Sequence, residues 1–208
     1  MNARLKTLLF LSLSWFTLFC RIPQTMAEEE NIVRAKVGIL IKAADKMKSA
    51  KNRDRLMVGD LFRIYVHPEA MSFIYVVHGD NKRATLLNMS DLKPQGSILA
   101  LPSGLDFYQV DGKSPVEAFT IICSPIEIKE LATLTEPKMS LNKWAALEVD
   151  LMQKSKITLA QGSEPPFAIA GSVRGADQRE GSDSFAGQLQ IFSGRNLIVK
   201  KYEFQVQK

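Results

Sequence analysis

The chain has 208 residues, 46% of them hydrophobic, which is enough to bury a substantial core. It carries 27 Lys or Arg against 22 Asp or Glu, a net charge of +5 at pH 7. Three of those cations, Arg4, Lys6 and Arg21, precede residue 28 without any acid, so 24 cations face 22 acids in the remainder. This near balance lacks the basic excess on which nucleic-acid-binding proteins depend, and we expect no nucleic acid partner.

The first 27 residues have the parts of a secretory signal peptide. Arg4 and Lys6 give a positive start, residues 7–20 are uncharged and mostly apolar, and Ala27 ends a segment with flanking small residues. The apolar stretch is shorter than the roughly 20 residues that a membrane-spanning helix needs. We expect cleavage after Ala27, export to the periplasm and a mature chain with no transmembrane segment. An uncleaved membrane anchor is the alternative.

The cysteines exclude a disulfide scaffold. Cys20 lies in the expected signal peptide, so residues 28–208 keep Cys123 alone. One thiol can form neither an intramolecular disulfide nor a thiolate-rich metal site. Its position in the strand-like run FTIICS favours a small buried hydrophobe over a nucleophile. A single domain at 28–208 must therefore be stabilised by its hydrophobic core.

Short strands are predicted through the first half of the chain. Apolar residues at odd positions from Val33 to Ala43 indicate a half-buried strand, although Leu40 breaks the pattern. The charged residues 44–55 fit a short helix or a hairpin excursion, and we favour the excursion. Turn signals with Gly, Pro and Asn separate further predicted strands, at 61–67, 72–78, 83–88, 97–101, 107–110 and 117–124.

The hydrophobic period changes after Pro125. Residues 126–134 fit a short helix, and residues 140–154 fit a longer one that begins at Ser140 as N-cap. Its apolar face is predicted to contain Trp144, Leu147 and Leu151.

The last part of the chain mixes both patterns. Residues 167–173 are a strand candidate and residues 175–184 a polar loop. A further helix is predicted from the spacing of three residues before Gly194, namely Phe185, Leu189 and Phe192. Residues 196–206 fit a closing strand. Together the elements predict a mainly β fold with minor α, an antiparallel β-sandwich or barrel-like domain with two or three short helices in its C-terminal half.

The central strands carry a recognisable motif. Residues 58–88 read VGDLFRIYVHPEAMSFIYVVHGDNKRATLLN, and an Ile/Leu-Pro step at 98–102 and FTIICSP at 119–125 follow. This arrangement resembles bacterial domain of unknown function 4384, in which a Gly-Asp turn leads into two paired strands with a tyrosine in the second. The residues that match this motif are Gly59, Asp60 and Tyr75.

The resemblance covers a family-like core at about 55–125, with 126–208 as a helix-plus-strand extension. It implies a small β-rich module of the kind found in exported or envelope-associated bacterial proteins. The family contributes no active-site residue, so the resemblance supplies an expected fold and location only.

The two histidines are the first candidates for chemistry. His67 and His78 end neighbouring predicted strands, and Asp60 and Asp80 are the nearest carboxylates that could complete a metal site. Solvent-facing histidines at strand ends are commoner, and we expect no metal.

Two acids on the predicted helix at 140–154 are the second candidates for chemistry. Glu148 and Asp150 lie at i and i+2 and point to different faces, so they cannot act as a catalytic pair. We expect both on a solvated face. The run from Gly171 to Gly175 lacks the spacing of a nucleophile elbow. The sequence predicts no catalytic, cofactor-binding or metal-binding residue, and no cofactor.

Exposed cations form the third candidate, a basic stretch with few acids that comprises Lys46, Lys48, Lys51, Arg53 and Arg55. Such a stretch can contact anionic lipid or an acidic partner. Solubility or protection of a sheet edge is the commoner role, and we also expect it of Lys200 and Lys201.

The leading functional hypothesis is an exported, non-enzymatic β-rich module that binds another protein or an envelope component, with an envelope protein as the expected partner. The alternatives are an envelope hydrolase and a small-ligand sensor. A hydrolase should show a pocket in which two titratable groups meet. A binding module should show an exposed patch or sheet edge, and a sensor a closed apolar cavity.

Overall fold

The computed structural model describes residues 31–43, 46–156 and 187–207. Three expectations lie outside these residues: the signal peptide with its cleavage at Ala27, the strand at 167–173 and the loop at 175–184. The described part contains two six-stranded sheets and two helices, which confirms a mainly β, sandwich-like fold with minor α.

The first sheet, called the front sheet, has the order β11-β1-β4-β7, with β2 paired to β1 and β8 paired to β4. All its pairs are antiparallel. Its strands are β1 (Ile32–Ala43), β2 (Lys46–Ser49), β4 (Leu61–Pro68), β7 (Leu99–Leu101), β8 (Tyr108–Gln109) and β11 (Gln190–Arg195).

The second sheet, called the central sheet, has the order β10-β6-β5-β9-β12-β3. Its pairs are antiparallel except β12 with β3, which is parallel. Its strands are β3 (Arg55–Met57), β5 (Phe73–Gly79), β6 (Arg83–Leu86), β9 (Val116–Ser124), β10 (Lys138–Ser140) and β12 (Ile198–Gln207).

The two helices are α1 (Lys129–Ala132) and α2 (Leu141–Ser155), and both were predicted. The hydroxyl of Ser140 accepts a hydrogen bond from the Lys143 N–H at 3.4 Å, which confirms the N-cap. Trp144 and Leu151 are buried on the inner face of α2. No helix in the described ranges combines the length and the apolar composition that crossing a membrane requires.

Two hydrophobic cores make this a three-layer structure. The first core lies between the sheets and includes Val37, Ile64, Ile121 and Phe204. The second core joins the opposite face of the central sheet to the helices and includes Val77, Ile122, Leu131 and Trp144. The central sheet is therefore covered on both faces, whereas the front sheet has one face outside the cores.

The residues that match the family motif have structural roles. Gly59 has φ of 97°, a left-handed conformation that favours glycine, and the Asp60 carboxylate accepts the Met57 N–H at 2.8 Å. Tyr75 is fully buried, and its hydroxyl accepts the Ile128 N–H at 2.9 Å. Burial raises the pKa of this phenol. These contacts form a turn and tie the central sheet to α1.

One predicted element is wrong. Leu189 and Phe192 were assigned to a helix that ends at Gly194, but β11 is a strand that pairs with β1 along six residues. A Cβ at Gly194 would lie 2.1 Å from the Leu197 carbonyl oxygen, so the glycine permits the tight turn into β12 rather than a helix end. The apolar spacing favours a helix locally, but pairing with the distant strand β1 makes this segment a strand. Phe185 lies outside the described residues.

Of the remaining elements, some were predicted from the sequence and some were not. β2 folds back on β1, which confirms the hairpin excursion. The closing strand is β12. The three-residue strands β3 and β10 were not predicted, because each is specified by its partner rather than by its own composition.

Candidate functional site

The strands of the front sheet carry charge of one sign. They contain seven Lys or Arg and no Asp or Glu. The strands of the central sheet contain both signs, with Glu117 and Glu203 among five cations. With 24 cations and 22 acids after residue 27, an even distribution would not produce an acid-free sheet. The front sheet is thus a concentrated source of positive potential.

The register shows which of these cations point away from the core. Val33, Ala35, Val37 and Ile39 of β1 are buried in the first core, so the alternate residues face outward. Residues of β4 and β11 that pair with these outward residues of β1 lie on the same outward face. The cations at outward positions are Arg34, Lys36, Lys42, Arg63 and Arg195. We call this surface the outward face.

Arg63 is the best-fixed cation of the outward face. Its guanidinium donates hydrogen bonds to the carbonyl oxygens of Pro102 and Gly104, at 3.1 and 2.6 Å. The same group lies 5.3 Å from the Tyr65 ring centroid and 5.6 Å from that of Phe107. These cation–π and hydrogen-bond contacts hold a planar cation and two aromatic rings together without any acid.

Lys42 and two apolar residues extend this surface. The Lys42 ammonium lies 5.4 Å from the Phe107 centroid. Ile191 is 61% exposed and is paired with Lys36, and Leu105 is 88% exposed in the loop before Phe107. Cations, aromatic rings and the exposed Ile191 therefore share one face, with Leu105 in an adjoining loop, a composition typical of interfaces.

The neighbourhood of the outward face also contains acids and a covering residue. Glu69 follows β4 and Asp106 lies next to Phe107, so the loops lower the local positive charge. Leu189 packs over Gly38 in the middle of β1, where a Cβ would lie 2.7 Å from the leucine side chain. Positive charge still predominates, because these two acids face five outward cations.

The basic stretch expected between 46 and 55 is divided by the fold. Lys46 and Lys48 belong to β2 of the front sheet, whereas Arg55 begins β3 at the edge of the central sheet. The backbone at Arg53 has φ of 70° and donates its N–H to the Glu203 carbonyl oxygen at 2.8 Å. Only part of the stretch therefore contributes to the charge of the front sheet.

The structure separates the two histidines. His67 pairs with Lys36 on the front sheet, and His78 pairs with Phe119 on the central sheet. In the ranges 31–43, 46–156 and 187–207, no three His, Cys, Asp or Glu side chains are grouped closely enough to hold a metal ion. Asp60 forms the turn described above instead of meeting His67.

His78 does meet an acid that the sequence analysis did not single out. Its Nε2 contacts the Glu117 carboxylate, and its ring stacks on Phe119 with centroids 4.9 Å apart. The pair lies in a cavity of about 120 Å³ at one end of the sandwich, beside Phe62 and Tyr108. A histidine oriented by a carboxylate can accept a proton, yet the cavity is smaller than the roughly 300 Å³ of ordinary small-molecule sites.

Glu148 corrects another expectation. It was predicted on a solvated helix face, but it is only 8% exposed and accepts hydrogen bonds from Thr120 and from Lys201, the latter at 3.1 Å. Asp150 is exposed and pairs with Lys154 at 2.7 Å. The two acids do lie on different faces, as predicted from their spacing.

Lys201 is held between two acids instead of solubilising an edge. Its ammonium lies 3.1 Å from Glu148 and 3.1 Å from Glu203. Burial alone would lower its pKa, but the hydrogen bonds to the two carboxylates outweigh burial and raise the pKa. The lysine therefore stays charged and is a poor nucleophile.

Cys123 is fully buried in the first core, as predicted. Burial raises the pKa of its thiol, which disfavours the reactive thiolate. The apolar character of the FTIICS run is explained by the burial of this strand in the core.

Comparison with protein-family models, with curated proteins and with solved structures finds no match to this chain. Function therefore has to be argued from the site itself.

Some of these residues could have been found from the sequence. A count of charges strand by strand shows three cations and no acid in IVRAKVGILIKA, which signals a one-signed surface. Arg63 gave no such signal, because its carbonyl partners lie 39 and 41 residues away. The partners of Glu148, Thr120 and Lys201, are also distant in sequence, at 28 and 53 residues.

Proposed function

We propose that the chain is an exported, non-enzymatic module that binds an acidic envelope protein through the outward face of its front sheet. The observation that carries the proposal is the set of front-sheet strands with seven cations and no acid. We also propose that the chain is related to bacterial domain of unknown function 4384. That family occurs in exported or envelope-associated proteins, which agrees with the proposed location, but it supplies no site residue.

Charge complementarity selects an acidic partner. A positive surface accelerates encounter with an acidic one and discriminates against basic surfaces. Nucleic acid would also complement this face, but the export expected from residues 1–27 takes the chain away from it. The ionic attraction should weaken as salt rises, because exposed charges are screened over about 10 Å at 0.1 M.

The side chains around Arg63 favour a protein over a lipid surface. Arg and aromatic residues dominate the binding energy of protein interfaces, and here Arg63, which is only 8% exposed, fixes the Tyr65 and Phe107 rings before any partner arrives. A side chain fixed in advance loses little conformational entropy on binding. Exposed Leu105 and Ile191 add apolar contact area beside it.

The His78–Glu117 pair favours the envelope hydrolase as a second candidate function. The two groups meet in a cavity and satisfy the geometric requirement for a general base and its orienting acid. Only a small part of a substrate could enter about 120 Å³. Hydrolysis of an envelope substrate that disappears in His78→Ala would support this candidate over the binding module.

Charge reversal tests the proposed function. Arg34→Glu with Lys36→Glu reverses two outward cations, and Lys129→Glu with Lys143→Glu makes the same change in net charge on the helical side. Purified tagged protein would be incubated with an envelope fraction, and the bound fraction measured at low and high salt. We expect the outward variant to bind about tenfold more weakly, a loss of about 1.4 kcal/mol, and the helical variant to bind like wild type.

Equal weakening of both variants would show that only net charge matters and would contradict a specific face. Unchanged binding in the outward variant would contradict the proposal directly. Co-sedimentation with vesicles of phosphatidylglycerol and phosphatidylethanolamine separates the lipid alternative. Binding to protein-free vesicles as strong as binding to the envelope fraction would overturn the protein partner.

A further inference from the structure

A second concave surface lies on the opposite side of the molecule, between α2 and the central sheet. The β5–β6 turn and the segment that leads into β9 form its rim, and Trp144 lies in its wall. Its cavity volume is about 350 Å³, within the range of small-molecule sites. This cleft has no lining residue in common with the His78–Glu117 cavity, and it lies on the other side of the central sheet from the outward face.

The inner end of the cleft contains a buried polar cluster. Glu148 is 8% exposed and Thr120 is 2% exposed, and Lys201 joins them through its hydrogen bond to Glu148. A buried carboxylate is costly to desolvate unless its hydrogen bonds are satisfied, and the Lys201 side chain that donates to it is itself 32% exposed. Such a cluster in a ligand-sized cleft is the arrangement by which proteins orient a small molecule.

Each member of the cluster can make a further hydrogen bond. Lys201 has three N–H groups, and Glu148 and Glu203 accept from it. The Thr120 hydroxyl donates to Glu148 and retains lone pairs that can accept. The Glu148 carboxylate has about four acceptor positions, of which Thr120 and Lys201 occupy two.

The charges of the lining decide the class of ligand. Asp80 at the rim and Glu148 inside would repel an anion, while Lys201 would repel a cation. Asn81 at the rim is an exposed amide that can both donate and accept. The Ser114 hydroxyl donates to the Val116 carbonyl oxygen, so towards a ligand it can only accept. A neutral compound with several hydroxyls matches this mixture, because each hydroxyl donates to a carboxylate and accepts from an ammonium or an amide.

The apolar part of the lining fits the same class. Apolar residues also line the cleft, namely Leu141, Trp144 and Ala145 from α2 and Val116 from β9. Pyranose rings present C–H groups on their faces and hydroxyls around their edges, so they need one wall of each kind. A volume of about 350 Å³ accommodates one or two such rings.

We propose that the cleft between α2 and the central sheet binds a neutral saccharide of one or two pyranose rings, oriented by Thr120, Glu148 and Lys201. This site goes beyond the proposed protein-binding face and does not depend on it. The charge-reversed outward variant keeps the cleft, so failure of one proposal leaves the other standing.

The tryptophans allow a direct test. The sequence has two, Trp15 and Trp144, so Trp15→Phe in the full chain leaves the tryptophan in the wall of the cleft as the sole emitter. Fluorescence would be titrated with glucose, N-acetylglucosamine and its β-1,4-linked disaccharide up to about 10 mM, a range that detects millimolar dissociation constants. We expect a saturable change with at least one sugar.

Three variants locate the binding. In the Trp15→Phe background, Glu148→Gln and Asn81→Ala should raise the dissociation constant about tenfold or more, which corresponds to about 1.4 kcal/mol. Asp150→Asn on the solvent side of the same helix should leave it within about twofold of the parent. Asn81 lies on an exposed turn, so its variant remains informative if Glu148→Gln unfolds the protein.

The absence of a saturable change with all three sugars would overturn the proposal. So would a response that survives Asn81→Ala undiminished, because binding would then lie outside the cleft. Saturation by acetate or by choline in place of the sugars would assign the cleft to a charged ligand and overturn the neutral class.

Discussion

The two sheets share one core but differ in what covers their other faces. The central sheet lies between the front sheet and the helices, so residues 74–77 and 119–124 are buried without alternation. The front sheet alternates from Val33 to Val37, with buried aliphatic residues on one face and cations on the other, whereas Leu40 and Arg63 on the outward face are themselves buried. A sheet with two covered faces is committed to packing, whereas a sheet whose second face is partly exposed can carry a binding surface.

The largest difference between the sheets should appear when a side chain is truncated. Ile122→Ala removes a fully buried side chain on the helix side of the central sheet and should lower the free energy of unfolding by about 2–5 kcal/mol. Ile191→Ala on the outward face should change it by less than about 0.5 kcal/mol. Urea denaturation with unchanged m values measures both. Similar losses would show that the outward face is packed against something.

Alkaline pH should reveal the buried phenol of β12. Burial raises the pKa of Tyr202 from 10.0 to about 12, so the unfolded chain releases this proton first. The unfolded state then binds fewer protons than the folded state, and the free energy of unfolding falls as pH rises through this interval. The contribution is fully present below pH 10.0 and is lost as pH passes about 12.

Tyr202→Phe tests this dependence. Urea denaturation at about pH 8 and about pH 11 should show a smaller fall for the variant than for wild type, because phenylalanine does not titrate. Burial also raises the pKa values of Tyr75 and Tyr108, so part of the fall will remain in the variant. An identical fall in both proteins would contradict the burial of Tyr202.

A small effect on stability is also expected when charges of the outward face are reversed. Arg34→Glu with Lys36→Glu should change the free energy of unfolding by less than about 1 kcal/mol, because both positions point away from the core. Thermal unfolding followed by circular dichroism checks this. A loss as large as that of Ile122→Ala would mean that these cations stabilise the fold and would remove the reason to assign them to binding.

The sequence predicted the parts of the fold that depend on local pattern. The period-two strand from Val33, the Ser140 N-cap and the run of residues 72–78 are short-range signals, and the structure confirms them. β3 was missed because it is three residues that pair in parallel with β12, far along the chain. β11 was assigned to a helix because its pairing with β1 leaves no local trace.

The sites were harder to predict, because their contacts are distant in sequence. Lys201 reaches Glu148 across 53 residues, so the helix pattern alone placed Glu148 in solvent. Glu117 meets His78 across 39 residues. The charge of the front sheet was visible in the strands one by one, but their assembly on one face follows only from the sheet order.

Site-specific photo-crosslinking in living cells tests the central claim most directly. A photoreactive amino acid would replace Ile191 on the outward face or, as a control, Val149, which is 68% exposed on α2. We expect one reproducible envelope protein to crosslink at position 191, to be lost with Arg34→Glu and Lys36→Glu, and to be absent at position 149. No partner at position 191, with the protein free and monomeric in the exported fraction, would contradict the account.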